Sequence, residues 1–231
     1  MARELVATPT ADDYRLRMSY EEYLDWMDEG TRAEWVDGEV VVFMPITRVH
    51  QMLVSFLDRL LGTFSELFGL GDVLLGPAQM RLVVQRSARE PDVFFLAAAH
   101  RDRRTRLGIE GPADLVIEIV SDDSVRRDQV DKRDEYAAAG VPEYWWLDSR
   151  PGHQSARFYR RAEDGRFVEV GLDEAGRFHS AALPSFWLDP SWLWQDPLPN
   201  PLALLGMIAP DALRTFVRTL DTDPDPTGGA R

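Results

Sequence analysis

Two acidic residues in strongly apolar surroundings are the first candidates for chemistry in this sequence. Glu118 interrupts the apolar run Leu115–Val120, where a carboxylate is costly to bury unless it is paired, protonated or bound to a metal. Asp92 follows Pro91 and directly precedes another apolar strand. On neighbouring strands these carboxylates, 26 positions apart, could converge on one hard cation such as Mg²⁺. The alternatives are a Glu118 that reaches solvent or pairs with arginine, and an Asp92 that only introduces its strand.

Lys132 is the only lysine among the 26 basic residues of the chain. The compact ammonium group of lysine can orient a water molecule, and its own pKa can change with its surroundings. An arginine guanidinium cannot replace it in these roles. The alternative is an ordinary pair on a helix surface, because Asp128 and Tyr136 lie four residues to either side.

Composition restricts the class of protein. The chain has 231 residues, a formal charge of −13 and no cysteine, which excludes disulfide scaffolds, iron–sulfur clusters and cysteine-ligated zinc sites. A strongly acidic chain is not the usual footprint of a nucleic-acid-binding surface. No apolar run reaches the ~18 residues needed to cross a bilayer, so we expect no membrane contact and a cytoplasmic location.

The elements that must position these residues follow an α/β order. Capping-box spacing at Ser19 predicts a short helix that ends near Gly30, and an Asp-Gly turn predicts a hairpin within residues 34–43. A 3,4 apolar periodicity predicts a long helix over residues 49–68. Further strands are predicted at 72–75, 79–84, 92–96, 114–120 and 143–147, a helix at about 124–139, and a hairpin of 156–159 with 167–170. This order predicts a mixed central sheet flanked by helices.

The composition of the sequence changes near residue 183, where tryptophan and proline become frequent. We expect one domain over residues 1–182, with about the first 17 residues flexible, followed by a Trp- and Pro-rich extension over 183–231. A helix is predicted at 210–220, and the Asp-, Pro- and Gly-rich tail is expected to be disordered.

The acidic residues and their surroundings resemble a known pattern. Pro91-Asp92 followed by Glu118-Ile119-Val120 resembles the PD-(D/E)XK signature of the restriction-endonuclease-like superfamily. More narrowly, the chain is similar to the Uma-two family of bacterial proteins, which are described as endonucleases. The residues that carry this resemblance are Glu34–Gly38, Pro112–Ser121, Asp128, Lys132, Tyr136, Gly140–Glu143 and Tyr144-Trp145. The resemblance covers about residues 19–170 and implies a restriction-endonuclease-like core.

The resemblance also implies a site and a reaction. The superfamily pattern has lysine two positions after Glu118, whereas this chain has Val120, which makes Lys132 on the following helix the implied replacement. Asp92, Glu118 and the Ile119 carbonyl would hold Mg²⁺ or Mn²⁺, with Glu34 as a fourth member or else facing solvent. The implied activity is metal-dependent endonucleolytic hydrolysis of DNA.

Cationic and histidine side chains supply weaker candidates. The candidates for phosphate contacts are Arg103, Arg104, Arg126 and Arg127, with a solvated loop as the alternative. His50 begins the long helix and is expected to be a cap or a surface residue, and the other histidines lack metal-site spacing.

The net charge of −13 keeps a second class of function open. General DNA affinity needs a basic surface that releases counterions, so the alternative is a catalytically inactive nuclease-fold module that binds a protein or nucleic-acid partner. A homodimer is expected by analogy, because nucleases of this fold that cut both strands often pair.

Overall fold

The structure is a computed structural model that describes residues 14–27, 33–42, 47–120 and 132–222. The helices are α1 (Tyr20–Trp26), α2 (Arg48–Phe68), α3 (Arg133–Ala139), α4 (Pro201–Ile208) and α5 (Pro210–Thr222). The strands are β1 (Tyr14–Arg17), β2 (Ala33–Val36), β3 (Glu39–Val42), β4 (Gly71–Leu75), β5 (Gln79–Leu82), β6 (Ser87–Arg89), β7 (Val93–Ala97), β8 (Gly108–Glu110), β9 (Leu115–Val120), β10 (Glu143–Asp148), β11 (Ser155–Arg161), β12 (Phe167–Glu169), β13 (Phe178–His179) and β14 (Trp187–Leu188).

Within the described ranges the strands form two six-stranded sheets and one small two-stranded sheet. The central sheet has the order β12-β11-β10-β9-β7-β4, and the N-terminal sheet has the order β1-β3-β2-β6-β5-β8. In the central sheet β9 is parallel to β10 and antiparallel to β7, so the sheet is mixed as predicted. The chain crosses between the two sheets several times, and residues 90–92 make the crossing from β6 to β7.

Helix α2 covers one face of the central sheet. Thr47 caps its first turn by accepting the His50 N–H, and Gly69 ends it in the left-handed conformation with φ 62°. Its apolar stripe packs against the inward residues of β7, β9 and β10, and each fully buried side chain contributes roughly 1.5–3 kcal/mol. This layer is the main hydrophobic core.

The opposite face of the central sheet packs against α3 and part of the N-terminal sheet. Its buried members include Phe94, Val116, Tyr136 and Tyr144. Because side chains alternate along a strand, Glu118 lies on the same face as Val116, and Ile117 lies on the α2 face. Helix α3 ends at Gly140 with φ 97°, at the position predicted for its C-terminal glycine.

The C-terminal segment is part of the main core. Trp192, Leu193, Leu204 and Leu205 are buried in the same cluster as the apolar stripe of α2. Asn200 caps α4 by accepting the N–H groups of the two residues that follow Pro201. None of the helices in the described ranges has the length and apolar character required to span a membrane.

The architecture differs from the expectation in one respect. The sequence predicts a single central sheet, whereas the early hairpin belongs to a separate N-terminal sheet that also contains the short strands β1, β6 and β8. Such three- and four-residue strands form through pairing with distant partners, which local propensity does not report. Of the segments expected to be flexible or disordered, residues 1–13 and 223–231 lie outside the described residues.

Candidate active site

The two predicted carboxylates lie side by side on neighbouring strands. Val93 of β7 pairs with Ile117 of β9, so Asp92, the residue directly before β7, lies beside the Glu118-Ile119 part of β9. The Ile119 N–H also donates a hydrogen bond of 2.8 Å to Asp92 Oδ2, which fixes this carboxylate at the strand end.

Lys132 lies inside the protein, next to Glu118. Its side chain is only 4% exposed, and its Nζ is 3.1 Å from Glu118 Oε1 and 3.0 Å from Glu34 Oε1. The alternative of a surface pair with Asp128 therefore does not describe Lys132, although Asp128 itself is outside the described residues. The lone lysine joins a carboxylate of the N-terminal sheet to one of the central sheet.

Glu34 is fully buried and accepts hydrogen bonds on both oxygens. Arg89 donates to Oε2 at 2.9 Å, and the Glu90 N–H donates to Oε1 at 3.1 Å. Burial alone would raise the pKa of Glu34, but Lys132 and Arg89 outweigh it and lower the pKa to about 2. Glu34 is therefore a charged carboxylate at neutral pH, and it does not face solvent beside its turn.

Arg89 extends this network toward α3. Burial alone would lower its pKa, but Glu34 and Glu135 outweigh it, so the pKa of Arg89 lies above its ordinary value. Glu135 of α3 accepts from Arg89 and from the Ser87 hydroxyl, which ties α3 to β6. The position of α3, and with it that of Lys132, is thus fixed from the N-terminal sheet.

Tyr136 also belongs to the site, although the sequence marked it only as a helix neighbour of Lys132 and as part of the family resemblance. Its hydroxyl donates a hydrogen bond of 2.7 Å to Glu118 Oε1, and its side chain is fully buried. Burial and, after it, the charges of Glu118 and Glu34 raise the pKa of Tyr136 well above its ordinary value. The phenol remains a donor at physiological pH and orients the Glu118 carboxylate.

His50 is the member that sequence reasoning placed wrongly. It is 3% exposed rather than a surface residue, and its Nε2 lies 3.1 Å from Asp92 Oδ2. Its Nδ1 is buried and has no hydrogen-bond partner among the described residues. No local signal reports this contact, because His50 and Asp92 are 42 positions apart and meet only after α2 packs on the central sheet.

We define the buried charge cluster as the largely buried charged side chains gathered where the two sheets join: Glu34, Arg89, Asp92, Glu118, Lys132 and Glu135. Four carboxylates against two cations leave a formal charge of −2, with His50 counted as neutral. Such an excess at a buried place is costly unless a cation compensates it, and carboxylate oxygens are the donors that Mg²⁺ and Mn²⁺ prefer. The donor chemistry and the charge fit one divalent ion. Within the described residues, however, no three acidic or histidine side chains converge closely enough to form a ready coordination shell.

Of the arginines predicted to contact phosphate, the two that lie among the described residues bond to groups outside the buried charge cluster. Arg103 donates to the Pro112 carbonyl, and Arg104 pairs with Asp72. Arg126 and Arg127 lie outside the described residues. Asp92, Glu118, Lys132 and Glu34 are thus brought together, whereas Arg103 and Arg104 bond to partners outside the cluster.

Comparison with known proteins identifies the family. The model of the Uma2 family, described as "Putative restriction endonuclease", matches residues 20–191. The chain belongs to the Uma2 family. No curated protein matches the Uma2 chain. A crystal structure of a putative nuclease of the DUF820 group from Anabaena variabilis is similar, with a TM-score of 0.62 and 15% sequence identity, over 77% of this chain and 97% of that one.

These matches agree with the fold expected from the PD-(D/E)XK resemblance. The family match includes all four predicted site residues and ends at residue 191, before most of the C-terminal segment. At 15% identity the Anabaena variabilis structure supports the restriction-endonuclease-like fold alone. Family and fold together indicate a nuclease-like Uma2 protein.

Proposed function

We propose that this Uma2 protein is a metal-dependent endonuclease that hydrolyses phosphodiester bonds in DNA. The observation that carries the proposal is the position of Lys132, whose buried ammonium lies 3.1 Å from Glu118 Oε1, with Asp92 on the neighbouring strand. A lysine buried between carboxylates contributes little net stability, because the cost of desolvating the charged groups offsets their Coulomb attraction. Such an arrangement is typical of a site where charge is used in a reaction.

Asp92, Glu118 and the Ile119 carbonyl would hold Mg²⁺ or Mn²⁺. When bound, the ion would polarise the phosphate and lower the pKa of a water molecule. Lys132 supplies a positive charge and N–H donors toward the negative charge that develops on the phosphate oxygens. Tyr136 and His50 keep the two carboxylates in their rotamers through hydrogen bonds.

Glu34 was predicted as a further metal ligand, and its contacts support a different proposed role. Both of its oxygens already accept hydrogen bonds, from Arg89 on one and from the Glu90 N–H on the other. Its Oε1 also lies 3.0 Å from Lys132 Nζ. We therefore assign Glu34 to positioning Lys132, and leave the direct contacts with the ion to Asp92 and Glu118.

Cleavage of supercoiled plasmid DNA in Mg²⁺ or Mn²⁺ tests the proposal. Asp92→Asn and Glu118→Gln keep the side-chain shape and remove the charge, so each should lower the cleavage rate about 1,000-fold or more. Asp134→Asn, on the exposed surface of α3, is the matched control and should cut at the wild-type rate. Cleavage that survives both cluster substitutions would overturn the assignment.

A catalytically inactive nuclease-fold module is the second candidate function. It is favoured by the lack of three converging acidic or histidine side chains in the part of the chain that the structure describes. In that case the buried charge cluster would only join the two sheets, and the chain would bind a protein or nucleic-acid partner. An inactive module should cut no DNA in any divalent ion, with folding unaffected by chelators.

We also propose that the active form is a homodimer, which would present one site to each strand of a duplex. Sedimentation of the purified protein should give about twice the chain mass of 26.3 kDa. A monomer that makes double-strand breaks would contradict this arrangement.

A further inference from the structure

A pocket of about 150 Å³ lies between the first turn of α2, the end of β10 and the C-terminal segment. We call it the Trp194 pocket, after the half-buried indole that forms one wall. Trp194 lies beyond the end of the family match, within the Trp- and Pro-rich segment. The proposed function gives this segment no role.

The lining of the Trp194 pocket combines an aromatic ring with side-chain amides and a cation. Trp194 and the apolar side chains beside it offer a flat hydrophobic surface, and Gln154 and Gln195 carry hydrogen-bonding groups at the exposed rim. Ser149 and Arg48 complete the polar part of the lining. Indole rings stack on nucleobases of any sequence, and amide side chains pair with base edges.

The size of the pocket sets which part of a nucleic acid could enter it. A cavity of about 150 Å³ in another protein holds one benzene molecule, so the Trp194 pocket admits a ring of that size. Asp196 lies on the lining, and a carboxylate disfavours a phosphate group at the same place. A neutral planar base therefore suits the pocket better than the anionic backbone does.

Two bonds relate the Trp194 pocket to the buried charge cluster. The first turn of α2, which lines the pocket, also carries His50, whose imidazole contacts Asp92. On the other side Ser149 donates a hydrogen bond of 3.4 Å to the carbonyl of Val120, two residues beyond Glu118. The pocket therefore lies at the same end of β9 as the candidate active site, on the α2 side of the central sheet, where Leu53 and Leu193 of its lining belong to the main core.

We propose that the Trp194 pocket binds one nucleobase of the DNA strand beside the phosphodiester that is cleaved. The inference rests on the proposed function, because it gives the nuclease a subsite next to its scissile bond. It assigns a function to the C-terminal segment: Trp194 stacks on the base, Gln154 and Gln195 contact its edge, and Arg48 lies toward the adjoining backbone.

Photochemical cross-linking tests the site without requiring cleavage. Single-stranded DNA carrying 5-bromodeoxyuridine is irradiated with the wild-type protein in EDTA, and the modified residue is found by mass spectrometry. We expect an adduct on Trp194 or on Met52, which also lines the pocket. An adduct only elsewhere, or no adduct, overturns the proposal.

Kinetics supply a second and separate test. Trp194→Ala should lower kcat/KM about 10- to 100-fold through the loss of stacking, and Trp194→Phe should lose less. Gln195→Ala, at an exposed position where folding is not at risk, should also lower kcat/KM, whereas Trp26→Ala on α1 is the control and should leave it unchanged. Wild-type values for the Trp194 and Gln195 variants overturn the proposal.

Different results would contradict the nuclease assignment and the Trp194 pocket. If the wild-type protein cuts DNA but forms no adduct in the pocket, the Trp194 proposal is wrong and the nuclease assignment stands. If an adduct forms on Trp194 but no divalent ion supports cleavage, the pocket stands and the nuclease assignment is wrong.

Discussion

The two faces of the central sheet use the same strands for opposite purposes. On the α2 face, Ile117 and Ile119 of β9 enter a core of hydrocarbon side chains. On the other face, Glu118 of the same strand lies with Lys132 and Tyr136 in a buried polar site. Burying hydrocarbon stabilises the fold, whereas burying paired charges contributes little net stability. Both faces bury hydrocarbon, but only the second also buries a set of charged side chains, and we propose that this polar part serves a reaction.

The largest effect should come from the hydrocarbon face. Phe56 of α2 is fully buried in the main core, so Phe56→Ala should lower the free energy of unfolding by about 3–5 kcal/mol. Cleavage per folded molecule should not change. Urea denaturation measures the first quantity, and cleavage normalised to the folded fraction measures the second. A Phe56→Ala protein that keeps its unfolding free energy but cleaves more slowly per folded molecule would contradict this difference between the two faces.

Lys132→Arg tests the reactive face while keeping the positive charge. A guanidinium cannot take the place of the compact ammonium between Glu34 and Glu118, so the cleavage rate should fall about 100-fold. Arg133→Lys is the matched exchange at the next, partly exposed position and should be neutral. Equal rates for wild type and Lys132→Arg would return the lysine to a structural role.

His50→Ala should have a smaller effect, about 10-fold on kcat with KM little changed, because His50 acts through Asp92. His50→Gln offers an amide N–H in place of Nε2 and should restore much of the rate, and His153→Ala in an exposed loop is the control. If His50→Gln is as impaired as His50→Ala, the hydrogen bond to Asp92 is not what matters.

The smallest effect is the pH dependence contributed by Glu34. Its pKa is about 2 in the folded protein and about 4.5 in the unfolded chain, so its stabilisation is complete above pH 4.5 and is lost as the pH falls toward 2. Between pH 7 and pH 4 the difference in unfolding free energy between wild type and Glu34→Gln should shrink by about 1 kcal/mol. Denaturation in EDTA at both pH values measures it, and a difference that grows would contradict the sign.

Much of the fold could be predicted from local patterns. The apolar period of α2, the Asp37-Gly38 turn between β2 and β3, and the glycine that ends α3 all appear in the structure where the sequence predicts them. The pairing of β7 with β9 was also predicted, which is why Asp92 and Glu118 could be placed together.

The features that could not be predicted from the sequence depend on long-range contacts. Strand β6 has three residues and no periodicity of its own, yet it carries Arg89, which pairs with Glu34 across 55 positions. His50 was expected to be a cap or a surface residue because it stands at the beginning of its helix. Only the packing of α2 at the end of the central sheet brings it to Asp92.

Binding of Mn²⁺ to protein stripped with EDTA, measured by calorimetry, decides whether the buried charge cluster is a metal site. The wild type should bind one ion per chain, and Asp92→Asn or Glu118→Gln should show no detectable binding. Asp134→Asn should bind as the wild type does, because Asp134 lies on the exposed surface of α3. A wild-type protein that binds no Mn²⁺, or cluster variants that bind it unchanged, would contradict the assignment of the buried charge cluster as a metal-dependent site.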